Sequence, residues 1–350
     1  MVAWGRVRAS EPSPSYALIE TATRIEGRSA TQTVILKKIY LPMQCFSSDW
    51  CNGTWSPWLE VGRATSTGRT PTTVPDAPGV YRIRAAGLRR MVYIGECSSL
   101  SNRLLGTWTR LNGHSASEFS SDEPVARRLA HLREAHKLEY QISFYAAHHE
   151  GRRDLRLGNE QWRKGLEARL MWEYRLEMRV SSVANHRRST RREGDQLAAR
   201  ESKVGFPHRV RPSSRPLPRP DREPHSELWM GRRWTLPAHY KEMKREKSWK
   251  ATGKELRESG GGIPILYKLL DPATHEMVKV GYSKRGSAGA CVAALRLPEE
   301  TMVAWTPLAR GAARQEYVLQ ELKDDLIGGY FYQTGSPPAR QFSGDQPSGE

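Results

Sequence analysis

Hydrophobic and polar residues alternate over two short runs in the first third of the chain. The runs 80–84 and 91–95 are rich in Val, Ile and Tyr, and the segment between them includes the turn-forming Gly87. Alternation with β-branched and aromatic residues is typical of strands, so the pattern predicts a β-hairpin. Serines follow the second run. Because serine caps helices well, we predict a helix that begins near residue 102.

Three further features of the sequence bear on the fold and on its partners. Tryptophans cluster at 50–58, where packing in a small core and stacking on unpaired bases are both open interpretations. The sequence has no apolar run of membrane-spanning length and no signal-peptide pattern, so we expect no membrane partner. Periodicity predicts strands at 33–40 and 138–146, and helices at 123–137, 166–178, 238–259 and 313–326.

Two tripeptides in the predicted hairpin and a later arginine form a motif. Residues 79–81 read Gly-Val-Tyr, residues 93–95 read Tyr-Ile-Gly, and Arg103 follows them. A predicted helix further on carries Glu167, and Asn185 comes after it. These five features, in this order, resemble the GIY-YIG nuclease motif.

The resemblance implies an α/β (α+β) fold, in which a short three-stranded mixed or antiparallel sheet is flanked by helices. It also implies hydrolysis of DNA phosphodiester bonds with one divalent ion, Mg²⁺ or Mn²⁺. A carboxylate is a natural ligand for such an ion, and the resemblance assigns that role to Glu167. Arg103 would bind the non-bridging phosphate oxygens, since a guanidinium offers a fixed and always charged fork.

The resemblance assigns the remaining roles to the hairpin and to Asn185. Tyr81 is the implied general base, and Tyr93 is implied to hold the nucleophile and the phosphate. Gly95 would let the backbone turn close to the DNA. Asn185 either orients a phosphate or caps the chain after its helix, and both interpretations are open.

One position departs from the family pattern. Many family members carry Tyr or His one helical turn after the arginine, but Thr107 stands there in this sequence. Thr107 could orient a water molecule but would be a poor proton carrier. Either Tyr81 acts alone or His114 approaches from the following loop, so the identity of the general base is open.

The second half of the chain repeats the first in outline, which indicates an internal duplication. Tyr267 and Gly281 are as far apart as the corresponding residues of the first motif, but Lys279 replaces its second tyrosine. Glu316 lies in a predicted helix where the family glutamate is expected. We therefore expect these four residues to form a degenerate site, in a unit that binds DNA or dimerises.

The composition is strongly basic, with 55 Lys and Arg against 38 Asp and Glu and a formal net charge of +17. Such a charge favours a polyanionic partner, which the resemblance identifies as DNA. Pro and Arg dominate residues 191–225, which we interpret either as a mobile linker that tracks the phosphate backbone or as a plain spacer. The candidate DNA-contacting residues are Gly95, Arg187, Arg188, Arg191 and Arg192.

Together these features predict two GIY-YIG-like units joined by a basic linker. Four scattered cysteines predict reduced thiols and a cytoplasmic protein. The expected function is that of a bacterial restriction or defence endonuclease, with a homodimer as a further prediction. A non-catalytic DNA-binding protein and a structure-selective repair nuclease are the alternatives. The expected regions are a strand-bearing extension at 1–48, a nuclease domain at 49–190, the linker at 191–225, a degenerate copy at 226–335 and a disordered tail at 336–350.

Overall fold

The computed structural model contains helices and small antiparallel sheets, so the protein belongs to the predicted α+β class. Residues 1–55 form one compact unit, here called the N-terminal unit, and residues 56–350 form the main unit. Both copies of the motif lie in the main unit. The structure describes residues 16–24, 34–42, 44–61, 74–86, 90–104, 129–130, 132–134, 137–149, 152–185, 214–242, 264–284, 298, 300–308 and 316–342.

A hairpin and a tryptophan turn make up the described part of the N-terminal unit. β1 (Tyr16–Arg24) pairs with β2 (Val34–Pro42) in antiparallel register. The sequence predicted β2 but not β1, because Glu20 and Thr21 interrupt the apolar pattern of β1. A short 3₁₀ turn, Gln44–Phe46, follows.

The tryptophan turn buries two indole rings. Trp50 opens a second 3₁₀ turn, in which Cys51 and Asn52 have φ angles of 54° and 62°. Trp55 Nε1 donates a hydrogen bond to the carbonyl oxygen of Trp50 over 3.0 Å, and the ring centroids are 5.9 Å apart. Both side chains are 4% exposed, so these two rings serve core packing rather than base stacking.

The first repeat of the main unit centres on a four-stranded antiparallel sheet in the order β3-β6-β4-β5. β4 and β5 form the predicted hairpin, and β6 corresponds to the strand predicted at 138–146. The prediction of three strands missed β3, a short strand at the sheet edge. The strands are β3 (Leu59–Val61), β4 (Gly79–Ala85), β5 (Met91–Cys97) and β6 (Tyr140–Ala146).

One face of this sheet carries the hydrophobic core of the first repeat. Ile83 of β4 and Phe144 of β6 belong to this core, together with Leu100 of the following helical residues 100–104. Ser99 Oγ accepts a hydrogen bond from the backbone N–H of Asn102 over 3.2 Å, so a serine caps this helix as predicted. Of the helix predicted at 123–137, the described residues 129–130 and 132–134 are helical, whereas Lys137 lies in a turn with a φ angle of 53°.

A long helix, α1 (Glu160–Met178), follows the sheet. Asn159 Oδ1 caps it by accepting a hydrogen bond from the backbone N–H of Trp162 over 3.1 Å. The helix therefore begins before the predicted residue 166, and it ends at Arg179 in the left-handed conformation, with φ 58°. The connection from β6 to α1 contains β7 (His148–His149), β8 (Arg152–Arg153) and the 3₁₀ turn Leu155–Gly158.

The second repeat has the same strand order, β11-β14-β12-β13, again with antiparallel neighbours. β12 and β13 form the second hairpin. The helix predicted at 238–259 begins at residue 240 instead of 238, because residues 238–239 pair with the free edge of β14, and residues 243–259 lie outside the described part of the chain. The elements are β9 (Leu228–Trp229), β10 (Arg232–Arg233), β11 (Ala238–His239), β12 (Ile265–Leu270), β13 (Met277–Ser283), β14 (Met302–Pro307) and α2 (Glu316–Thr334).

Equivalent hydrogen bonds join helix and sheet in the two repeats. The backbone N–H of Met91 donates to the hydroxyl of Tyr174 over 3.0 Å, and Tyr330 makes the corresponding bond with the backbone of Met277. These bonds align α1 with α2 residue by residue at one constant sequence offset. The structure thus contains the predicted internal repeat.

The two helices pack side by side in antiparallel orientation. The indole N–H of Trp162, near the start of α1, donates to the carbonyl oxygen of Gly335, just after the end of α2, over 3.1 Å. A Cβ atom on Gly328 would lie 2.9 Å from Trp172 Cβ, so the backbones approach closely there. Trp172 and Gly328 are equivalent positions that contact each other. An approximate twofold axis, which relates the two repeats, therefore passes through this contact.

A buried ion cluster joins the helices on one side of this axis. Arg175 Nη1 donates to Asp325 Oδ1 over 2.5 Å, and Arg175 Nη2 lies 3.6 Å from Glu321 Oε2. On the other side, a Cβ atom on Gly165 would lie 2.7 Å from Phe331 Cδ2. The helix pair is therefore polar at one end and apolar at the other.

Part of the predicted linker at 191–225 is packed against the helices. Arg175 Nη2 donates to the carbonyl oxygen of Ser214 over 2.7 Å, and the backbone N–H of Leu217 donates to Asp325 Oδ2 over 2.9 Å. Leu217 is also buried in the core of the second repeat. The prediction of a mobile linker is therefore wrong from residue 214 onward, and residues 191–213 lie outside the described part of the chain.

The predicted disordered tail at 336–350 is ordered at its start. Gln341 Oε1 accepts a hydrogen bond from the backbone N–H of Val280 over 2.8 Å, and its side chain is buried. This bond attaches residues 336–342 to β13. Residues 343–350 lie outside the described residues.

Candidate active site

Tyr81 and Tyr93 lie beside each other at the centre of the first hairpin. Tyr81 of β4 is paired with Gly95 of β5 and is 4% exposed. The ring centroids of Tyr81 and Tyr93 are 5.8 Å apart, and the ring planes are tilted by 42°. The motif spacing therefore brings two phenols together.

Gly95 makes room for both phenols. A Cβ atom at this position would lie 2.5 Å from Tyr93 Cε1 and 3.0 Å from the hydroxyl oxygen of Tyr81. Real Cβ atoms do not tolerate such contacts, so any larger residue would displace the rings. The glycine is required here by the packing of the tyrosines, in addition to any approach of the backbone to a ligand.

Arg103 lies close to the two phenols. Its backbone N–H donates to the carbonyl oxygen of Ser99 over 3.1 Å, in the first turn of the helix after the hairpin. Its electrostatic interaction with Tyr81, and to a smaller extent with Tyr93, raises the pKa of the Arg103 guanidinium. A permanently charged donor thus accompanies the tyrosine pair.

Glu167 of α1 contributes the acidic group. Its charge is among the interactions that raise the pKa of Tyr81, and such an interaction requires the carboxylate to lie in the vicinity of that phenol. The side chain is partly exposed. The fold thus brings together Tyr81, Tyr93, Arg103 and Glu167, which are far apart in the sequence.

The phenol of Tyr81 is neutral at physiological pH. Burial raises the pKa of Tyr81 well above its usual value, and the neighbouring Tyr93 raises it further. Arg103 lowers the pKa of Tyr81, but by less than burial raises it. A neutral phenol can orient a water molecule through hydrogen bonds but is a weak proton acceptor.

Asn185 holds the strand that carries the second motif tripeptide. Its Oδ1 accepts a hydrogen bond from the backbone N–H of Ile94 over 2.9 Å, and its Nδ2 donates to the carbonyl oxygen of Ile94 over 2.7 Å. Oδ1 also accepts a hydrogen bond from Ser182 Oγ over 2.5 Å. Of the two roles left open for Asn185, the structure supports a structural one, because its amide already binds the strand backbone.

The donor set near Tyr81 fits a hydrated divalent ion rather than a protein cage. Within the described ranges, no group of three His, Cys, Asp or Glu side chains is arranged to hold a metal ion. Glu167 could supply one carboxylate ligand, and Mg²⁺ commonly takes its remaining ligands from water and phosphate. Burial raises the pKa of the nearby Cys97 thiol to about 12, so this thiol is neutral at physiological pH.

Several predicted residues lie outside the part of the chain that the structure describes. The roles of the alternative proton carriers and of the arginines after Asn185 therefore remain predictions. These residues are Thr107, His114, Arg187, Arg188, Arg191 and Arg192.

The second repeat retains the motif glycine but lacks the second tyrosine and the carboxylate of the first repeat. Tyr267 is paired with Gly281, and a Cβ atom on Gly281 would overlap the Tyr267 ring. Lys279, which is buried, stands where the first repeat has Tyr93. At the position equivalent to Glu167, the helix alignment puts Lys323, a cation in place of the carboxylate.

The predicted role of Glu316 is therefore wrong. The alignment of α2 with α1 pairs Glu316 with Glu160 at the start of the helix rather than with Glu167. Glu316 accepts hydrogen bonds from the Tyr282 hydroxyl over 3.3 Å and from Lys284 Nζ over 2.7 Å. The loops before the two helices differ in length, so sequence spacing alone misjudged the register.

Sequence reasoning also missed an ion pair that fixes α1 to the hairpin. Arg163 Nε donates to Glu96 Oε2 over 3.0 Å, and Arg163 Nη1 donates to the carbonyl oxygen of Leu157 over 2.8 Å. Glu96 directly follows the motif glycine. Its partner lies far along the chain, and no sequence pattern signals such a pair.

No family model, curated protein or solved structure matches this chain. The GIY-YIG resemblance therefore depends on the residues described above. Among the described helices, none combines the length and apolar character needed to cross a membrane.

Proposed function

We propose that this protein is a metal-dependent DNA endonuclease of the GIY-YIG type, whose active site contains Tyr81, Tyr93, Arg103 and Glu167. The observation that carries the proposal is the convergence of a second phenol, a guanidinium and a carboxylate on the phenol of Tyr81. In-line hydrolysis of a phosphodiester needs an oriented water molecule and stabilisation of charge on the phosphate. These four side chains supply groups for both tasks.

Each side chain has a role that follows from its chemistry. Arg103 binds the non-bridging phosphate oxygens, and the hydroxyls of Tyr81 and Tyr93 orient the attacking water by hydrogen bonds. The water oxygen forms a bond to phosphorus while the bond to the leaving oxygen breaks. The water releases a proton to solvent, and the leaving oxygen takes one up. A divalent ion held by Glu167, Mg²⁺ or Mn²⁺, would supply additional charge stabilisation.

The net charge of +17 supports DNA as the substrate class, since phosphate contacts favour basic proteins.

We further propose a cytoplasmic restriction or defence role for this nuclease, and association into homodimers. Light scattering after size exclusion, with and without DNA, tests the homodimer. A strict monomer under both conditions would contradict it.

The neutral state of Tyr81 favours one alternative, a non-catalytic DNA-binding protein. A site without an effective proton acceptor could retain the phosphate contacts without hydrolysis. Such a protein would bind DNA with strong salt dependence and show no metal-dependent turnover. The structure-selective repair nuclease gains no support from Trp50 and Trp55, because both rings are buried.

Cleavage of mixed plasmid and genomic DNA with Mg²⁺ or Mn²⁺ tests the proposal. We expect Glu167→Ala to reduce the rate by ~10²-fold or more, the size typical for loss of one stabilising group. Glu160→Ala is a matched control, because Glu160 lies on the same helix and pairs with Lys164. Glu316→Ala should also cut normally. Salt-sensitive binding without cutting by any version would instead support the DNA-binding alternative.

Discrete DNA fragments would favour restriction over structure-selective cutting. Matched duplex, flap and single-stranded oligonucleotides separate these two activities directly. Preferential cutting of flap or single-stranded substrates would contradict the restriction role while leaving the proposed chemistry in place.

A further inference from the structure

Side-chain hydrogen bonds attach α1 to β5 at two places. The hydroxyl of Tyr174 accepts a hydrogen bond from the backbone N–H of Met91, at the start of β5, over 3.0 Å. Arg163 Nε donates to Glu96 Oε2, near the end of β5, also over 3.0 Å. The helix rises ~16 Å between its two attached residues, and the strand spans about the same distance between their partners. The helix therefore runs antiparallel to the strand and matches it in length.

The carboxylate of Glu167 lies on the part of α1 between these two attachments. Glu167 comes one helical turn after Arg163, and residues four apart lie on the same face of a helix. One turn rises ~6 Å, a distance that about two residues of a strand span, so Glu167 is level with the Tyr-Ile-Gly tripeptide of β5. This placement agrees with the electrostatic effect of Glu167 on the pKa of Tyr81, whose strand partner is the glycine of that tripeptide.

The guanidinium of Arg163 is fixed from two sides. Besides Glu96, it binds the 3₁₀ turn before α1, where Nη1 donates to the carbonyl oxygens of Leu157 and Gly158 over 2.8 Å and 3.1 Å. The Arg163 side chain is 4% exposed and that of Glu96 is 18% exposed. A charged pair that is largely shielded from water, with additional hydrogen bonds, keeps one geometry better than a surface pair does.

The second repeat differs at both members of this ion pair. The alignment of the repeats puts Leu319 at the position of Arg163 and Tyr282 at the position of Glu96. The Tyr282 hydroxyl instead donates a hydrogen bond to Glu316 Oε1 over 3.3 Å. At these two positions, which the structure describes, the second repeat thus has no ion pair, and it also lacks the carboxylate.

We infer that Arg163 and Glu96 are positioning residues for Glu167, the metal ligand of the proposed active site. The ion pair holds the first half of α1 at a fixed distance from β5, so the Glu167 carboxylate stays beside Tyr81. A ligand whose orientation is fixed by its neighbours binds a metal ion more tightly than a mobile one. This inference rests on the proposed endonuclease function and deepens it.

Binding of Mn²⁺ to the full chain without DNA tests the inference, with free Mn²⁺ measured by electron paramagnetic resonance. We expect Arg163→Leu, which introduces the residue of the second repeat, to weaken binding by ~10-fold or more. Electrostatics alone predicts the opposite sign, because loss of a nearby cation should strengthen the binding of another cation. Arg156→Leu, which breaks the ion pair with Asp154 before α1, is the matched control and should bind Mn²⁺ normally.

The outcomes of this titration separate the inference from the proposed function. Wild-type affinity in Arg163→Leu, with weakened binding in Glu167→Ala, would overturn the inference and leave the endonuclease function in place. Wild-type affinity in Glu167→Ala would contradict both, because Glu167 would then not be the metal ligand. Circular dichroism checks the fold of each variant, and Arg163→Met, an unbranched neutral substitute, gives the same test if the leucine variant does not fold.

Cleavage rates distinguish positioning from a general structural role. If Arg163 acts through Glu167, Arg163→Leu should slow cleavage by the wild type but cause no further loss in Glu167→Ala. An equal loss in both backgrounds would overturn the inference. Absence of cleavage by the wild type would contradict the endonuclease function alone, because Mn²⁺ binding tests the positioning separately.

Discussion

Arg175 of α1 and Asp325 of α2 form an ion pair with 2.5 Å between Nη1 and Oδ1, and each side chain is only 1% exposed. The pair connects the two repeats, and Arg175 Nη2 also donates to the carbonyl oxygen of Ser214 over 2.7 Å. Since the charges are buried together, neither can lose its partner without a large penalty. The two repeats therefore behave as one folded structure.

Removal of one partner should destabilise the whole main unit. We expect Asp325→Ala to lower the free energy of unfolding by about 3–5 kcal/mol, because it leaves the Arg175 charge buried without its closest partner. Urea unfolding followed by circular dichroism measures this change. Lys164→Ala, which removes an exposed pair within α1, should leave stability nearly unchanged. Equal stability of both variants would contradict a structural role for the buried pair.

A methyl group on Gly95 should disturb the site more than the fold. In Gly95→Ala, the new Cβ would lie 2.5 Å from Tyr93 Cε1, so both phenol rings must shift. We expect cleavage to fall by ~10²-fold, since small misplacements of reacting groups cost about that much. Gly158→Ala is the matched control, because no atom lies within 4 Å of its Cβ position. Normal cleavage by Gly95→Ala would mean that the tyrosines do not act in the reaction.

Asn185 and Gln341 should be important for stability in equivalent ways. Asn185→Ala leaves the N–H and carbonyl groups of Ile94 without their partner, whereas Gln341→Ala affects only the N–H of Val280. Each orphaned buried group costs about 1–3 kcal/mol, so Asn185→Ala should be the more destabilising. Hydrogen exchange should show faster exchange at Ile94 and at Val280, respectively. Unchanged protection of the Ile94 amide in Asn185→Ala would contradict the role of Asn185 in holding β5.

Stability should fall at alkaline pH because of buried phenols. Burial raises the pKa of Tyr282 to about 12 and the pKa of Tyr81 well above its usual 10. The unfolded chain loses these protons first as the pH passes 10, so the stabilisation is complete below pH 10 and declines above it. Urea midpoints from pH 8 to pH 12 measure the decline. Tyr81→Phe should show a smaller loss over this range, and an identical loss would contradict the contribution of Tyr81.

The two hairpins could be predicted because the residue pattern that specifies each hairpin lies within the hairpin itself. The alternation in β4 and β5 and in β12 and β13 specifies strands. In each hairpin, the glycine paired with the tyrosine marks the register of the two strands. Arg103 and Glu167 were identified from the motif rather than from any local pattern. Their proximity to Tyr81 depends on how α1 packs against the sheet.

The errors arose where tertiary contacts override local composition. Residues 214–217 read as a spacer, yet Leu217 is buried and the helix pair supplies partners for the backbone. Glu316 looked equivalent to Glu167, but the bond between Tyr330 and Met277 gives a register of α2 that pairs Glu167 with Lys323. A single sequence contains no signal for either contact.

The contrast between the polar end and the apolar end of the helix pair has a consequence for how the internal duplication evolved. Gly165 is the counterpart of Glu321, and Arg175 is the counterpart of Phe331. Two copies of the first repeat would face Arg175 with Gly165, and two copies of the second would face Glu321 with Phe331. Neither arrangement satisfies the charges. The two repeats have therefore diverged into a complementary pair. Gene conversion that made their sequences identical again would leave the two helices unable to pack against each other.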